Sequence, residues 1–161
     1  MNPDILTVIA LVLAALGVGS LFVRRMPSAI ASYASLVCAH LAGAAAASVR
    51  QLVFWGFATI IVMALRMAHS RDAAFSTSSC RYVALGAASG TAVGFACLPA
   101  SATIILGAVT GSFVGAAAYM TTPASPMLPL TSRAFFEFLG ATGLPAAVTC
   151  SISAIVAAII L

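Results

Sequence analysis

Three acidic residues, two histidines and four cysteines are the whole stock of proton-transfer and thiol chemistry in this 161-residue chain. Glu137 is the acid that falls next to an apolar segment away from the N-terminus; Asp4 begins the chain and Asp72 lies in a polar stretch. A carboxylate inside a membrane reads first as a proton or cation relay. Arg133 stands one helical turn before it, so the plainer reading is an ion pair at an interface, weakened because the arginine precedes the glutamate. His40 lies deep in an apolar segment. It suits either a pH-sensing or ligand role, or a neutral imidazole bonded to a neighbouring helix. His40 and His69 fall in different segments. Cys38, Cys80, Cys97 and Cys150 form no CxxC pair and read as small apolar packing residues. No metal site follows from these residues. No nucleophile–base pair, paired carboxylates or phosphate-cradling glycine loop is present, so we expect no catalytic residues, no cofactor and no enzyme activity.

A second set carries hydroxyls: Ser89, Thr91, Thr103, Thr110, Ser112, Thr149, Ser151 and Ser153, all within apolar segments. Such residues could line a polar pathway. More commonly they bond back to their own helix or across a packed interface.

The elements that must hold these groups are read from composition. The chain is 63% hydrophobic and 6% charged, with mean hydropathy +1.17. Soluble domains average about 25% charged residues, so the expectation is a single integral membrane domain over residues 1–161. All the basic residues are arginine, seven in number, and in such a chain they set topology rather than bind nucleic acid. The N-terminus lacks a basic region and a cleavage pattern, so we expect the first segment to be retained.

The fold class expected is all-α, a polytopic bundle of about six membrane helices near residues 5–23, 28–47, 52–65, 82–98, 102–120 and 134–161. The third is short and must sit untilted or let Arg66 snorkel. Trp55 reads as an interfacial anchor. Arg66 to Arg81, with Ser76 to Ser79, reads as a solvated loop. Pro123, Pro126 and Pro129 predict an extended loop. Gly140, Gly143 and Pro145 predict a kink in the last segment, or a short interfacial helix over Arg133–Leu139 followed by the span. Six spans place Arg24, Arg25, Arg66, Arg71, Arg81 and Arg133 on one side and Arg50 alone on the other. That bias puts both termini outside, in the periplasm of a bacterial host.

Two glycine ladders dominate the middle: Gly86, Gly90 and Gly94, then Gly107, Gly111 and Gly115. The four-residue spacing puts each ladder on one helix face. With the Leu98-Pro99-Ala100-Ser101 turn between them, they predict a hairpin of two helices packed glycine to glycine, a glycine zipper. These two runs, Gly86 to Pro99 and Gly107 to Gly115, resemble the bacterial domain-of-unknown-function family four-five-six, and the order of the other segments is similar to it. Arg24-Arg25-Met26-Pro27 and Ala116-Ala117-Ala118 depart from that family's pattern. The resemblance implies a small inner-membrane protein and brings no activity with it.

The function expected is therefore a structural or accessory membrane subunit. The alternative is a small transporter or channel for an ion or small solute, supported by the polar residues within spans and the interrupted last helix. Expected partners are the lipid bilayer, and other membrane subunits or a second copy of the chain.

Overall fold

The computed structural model describes residues 3–22, 28–43, 48–69, 77–97, 100–123 and 132–160, and these are helical with no strand among them. The elements are α1 (Pro3–Ser20), α2 (Ser28–Leu41), α3 (Val49–His69), α4 (Thr77–Cys97), α5 (Ser101–Met120), α6 (Arg133–Phe138), a π-helical turn (Leu139–Gly143) and α7 (Leu144–Ile160). The last three run on without a break, giving six helices among the described residues. Among the described residues three stretches are long and apolar enough to cross a membrane: Val49–Met67, Ser101–Met120 and Phe135–Ile160.

Local chemistry moves several boundaries. Ser48 and Gln51 form a reciprocal capping box: the Gln51 N–H donates to Ser48 Oγ (3.3 Å) and the Ser48 N–H to Gln51 Oε1 (3.4 Å). It starts α3 before Arg50, and the helix carries on past Arg66 to 21 residues. The expected 14-residue segment over 52–65, untilted or with a snorkelling Arg66, is therefore corrected to a longer helix. Thr77–Ser79 belong to α4 and not to a solvated loop, and Ser79 is buried. Ser76 lies outside the described residues. α2 closes at Leu41, where Gly43 takes the left-handed φ of 81° and its N–H bonds the His40 carbonyl. At 14 residues α2 rises about 21 Å, short of the roughly 30 Å of a hydrocarbon core. The expected range to residue 47 is not reached, although 44–47 lie outside the described residues. Pro145 has no N–H to give, and its ring would strike the carbonyl one turn back. The helix widens instead of breaking, and the Leu144 N–H bonds Leu139 O in π fashion.

α7 is the centre of the bundle, packed against each of α1 to α5. Its direction is fixed by its bonds. Thr149 meets Ser28 and Ser153 meets Ser32, so α2 and α7 run parallel. Val83 of α4 shares a buried cluster with Phe135 and Phe138, and Thr91, further along α4, meets Cys150, so α4 also runs with α7. On α5, Ile104 packs in the cluster of Ile152, Ile155 and Val156, while Tyr119 packs with Phe135 and Phe138. α5 is thus antiparallel to α7. Trp55, expected as an interfacial anchor, is instead buried in the first of these clusters. It lies on the face of α3 that meets α2 and α7, since Tyr33 of α2 rests on the neighbouring Gly56.

Burial is inverted relative to a soluble protein. Ile5, Val12, Leu16, Val53, Phe57, Ile60, Leu106 and Val114 are all more than half exposed, while Ser28, Ser32, Ser35, Thr149 and Ser151 are inside.

The α4–α5 contact is the closest among the described helices. A Cβ on Gly86 would lie 2.8 Å from the Gly115 Cα and against the Gly111 carbonyl, and one on Gly90 would lie 2.8 Å from the Gly111 Cα and against the Gly107 carbonyl. Gly94 meets the Thr103 carbonyl and Gly115 meets that of Tyr82. Since the obstacle is backbone, even alanine forces the helices apart. Gly90→Ala and Gly111→Ala are each expected to destabilise by about 1–3 kcal/mol, the cost of overpacking. Gly19→Ala, where a Cβ meets nothing within 4 Å, is expected to be neutral. Unfolding of the detergent-solubilised protein measures all three.

Candidate functional site

The buried polar groups gather along α7. The Thr149 hydroxyl donates to Ser28 Oγ at 3.2 Å. Ser32 and Ser153 hydroxyls meet at 3.1 Å, and Ser153 donates to the Ala14 carbonyl at 3.3 Å. A hydroxyl has one proton, so Ser32 is the donor to Ser153 and the bonds run Ser32 to Ser153 to Ala14. Ser35 donates to the Ser32 carbonyl at 2.6 Å. This seam joins α1, α2 and α7. α1 comes close because Gly17 leaves room for the Ser32 side chain: a Cβ there would lie 3.1 Å from the Ser32 backbone nitrogen. Further along α7, the buried Cys150 thiol sits against the Thr91 hydroxyl of α4. Among the described residues no buried side-chain nitrogen or oxygen lacks a partner.

Most of the other hydroxyls singled out in the sequence serve their own helix. Ser89 donates to Gly86 O, Thr91 to Ala87 O, Thr103 to Ala100 O, Thr110 to Leu106 O and Ser112 to Val109 O. Thr149 and Ser153 do reach across. Their partners Ser28 and Ser32 were not singled out, and the available signal was spacing: Ser28 and Ser32 are four apart, as are Thr149 and Ser153.

Glu137 and Arg133 are brought together, with Arg133 Nε donating to Glu137 Oε1 at 2.9 Å on an exposed face of α6. The Ser132 side chain caps that helix by accepting from the Phe135 N–H. His40 is not deep in its helix. It lies in the last turn of α2 and is half-buried, because Gly43 ends the helix there. With Ser28 level with Thr149 and the two helices parallel, His40 and Glu137 stand at opposite ends of α7, about 36 Å apart by helix rise. The described charged residues Asp4, Arg50, Arg66, Arg81, Arg133 and Glu137 all sit within about two turns of a helix end. No group of three histidine, cysteine or acidic side chains able to hold a metal occurs among the described residues.

Such an arrangement holds helices together and gives them register. Compared with protein-family models, with curated proteins and with solved structures, the chain gives no match in any of the three. The likeness to family four-five-six therefore rests on the glycine runs and the order of segments.

The Ser32–Ser153 bond is open to a double-mutant cycle with Ser32→Ala and Ser153→Ala. The expected coupling is about 0.6 kcal/mol, the mean for hydroxyl bonds between membrane helices. Zero coupling would show that the pair is in contact without holding the helices.

Proposed function

We propose that this is a six-span integral membrane protein, a structural or accessory subunit whose helices pack through glycine zippers. The observation that carries it is the inverted burial: apolar side chains face outward, while every described buried polar side-chain group is partnered inside. In lipid that distribution is the stable one. Six spans are supported by the shared direction of α2, α4 and α7 against α5, as an up-and-down chain requires. A spanning role for the short α2 is helped by burial of Ser28, Ser32 and Ser35, and for α4 by burial of Ser79 and Thr91. The arginine count then places both termini outside, periplasmic if the membrane is a bacterial inner membrane. The resemblance to family four-five-six points the same way and adds no activity. Binding of nucleic acid and catalysis form no part of this reading.

The π-helical turn beside Pro145 favours a second reading, a small transporter or channel, since interrupted helices form solute sites in transporters. Against it stands the distance between Glu137 and His40, with no other described carboxylate between them.

Purification in a mild detergent followed by mass spectrometry separates the two. A partner of fixed stoichiometry is the outcome expected of an accessory subunit. A lone species whose solute flux in liposomes is lost on Glu137→Gln or His40→Ala would establish the transporter instead. Topology is checked in a cysteine-free background. Thr122→Cys and Ala100→Cys are expected to label from opposite faces of the membrane, and labelling from the same face would remove the six-span arrangement.

A further inference from the structure

We infer that the end of the bundle carrying Arg66, Arg81 and Arg133 is a docking face for the headgroups of anionic phospholipids. This rests on the membrane-spanning reading and goes beyond it, because topology alone asks for positive charge and not for a bound lipid.

The three arginines come to one end through packing. Arg81 is two residues before Val83 and Arg133 two before Phe135, and Val83 and Phe135 belong to one buried cluster. α3 enters the bundle with Trp55 in the cluster of Ile155 and Val156, and also packs against the π turn at Leu139–Gly143. Its Arg66 end is therefore at the Arg133 end of the last helix. Arg50, at the start of α3, is at the opposite end.

Each arginine also has a large exposed apolar or amphipathic neighbour. Met67 (69% exposed) follows Arg66, Tyr82 (42%) follows Arg81, and Phe136 (59%) lies three residues after Arg133. A cation beside an exposed apolar side chain fits the level where phosphates meet acyl chains. A guanidinium offers a planar fork of donors that matches a phosphate two-to-two. Arg133 gives its Nε to Glu137 and stays 93% exposed, so the carboxylate steadies one edge of the fork while the side chain faces outward. Glu137 pairs with Arg133 at this end, and the exposed Arg81 adds a further positive charge. The excess charge favours an anionic headgroup over a zwitterionic one.

The test uses the full chain in phosphatidylcholine bilayers with trace spin-labelled phosphatidylglycerol or phosphatidylcholine, reading the motionally restricted fraction of each label. The anionic label is expected to be preferred severalfold. Arg81→Gln or Arg133→Gln lowers that preference by up to about fivefold, the worth of one near-surface cation. Glu137→Gln, which removes a competing anion, raises it, and Arg50→Gln changes it least. Equal restriction of both labels overturns the proposal. So does a loss on Arg50→Gln as large as that on Arg81→Gln, which would mean diffuse charge. Abolition of the preference by inorganic phosphate at constant ionic strength would reassign the face to a free anion and overturn it too. Absence of any restricted fraction would remove the spanning reading itself. The restricted fraction of the zwitterionic label reports that each variant is still folded.

Discussion

Apolar helices in a lipid surrounding gain little by meeting one another, because the acyl chains are as apolar as their neighbours. Close backbone approach and hydrogen bonds between helices must then supply the cohesion. Both are present, in separate places. Opposed glycines bring α4 and α5 together, and hydroxyl pairs fasten α7 to α2 and, through Ala14, to α1. α7 packs against both hairpins and so makes one bundle of them. The two devices act over different ranges. The glycine contact sums many small dispersion gains along the helix. The hydroxyl bonds are few and directional, and they select a single register.

That register depends on spacing. Ser28 and Ser32, like Thr149 and Ser153, are one helical turn apart, so a slip of one residue along either helix would separate both bonds together. Each hydroxyl could still bond to its own backbone, which keeps the net gain small. The benefit is discrimination among alternative packings that have nearly equal apolar contact.

Much of the architecture is legible in the sequence because it is written in period and composition. Glycines at every fourth position mark a helix face, and Pro145 beside Gly143 marks a disturbed helix, realised as a wider turn and not as a break. What is not legible depends on neighbours. Trp55 has the composition of an interfacial anchor, yet Gly56 beside it accepts Tyr33 and draws that face of α3 inward. His40 looks deep only if α2 continues, and the left-handed Gly43 stops it. The α3 start was readable in principle, since Ser48 and Gln51 have capping-box spacing, but a boundary drawn by hydropathy passes over it. The seam on α7 was half legible: Thr149 and Ser153 stand out in an apolar run, whereas Ser28 and Ser32 are lost in an alanine- and serine-rich helix.

The position of α7 has a consequence for biosynthesis. The helix that every other one packs against is the last of the described helices to be made. While it is still being synthesised, α1–α2 and α4–α5 can each close as hairpins, but the hydroxyls of α2 have no partner beyond their own backbone. Assembly of the bundle is thus deferred until α7 has been made. On the membrane-spanning reading, α7 displaces lipid from between the two hairpins when it arrives.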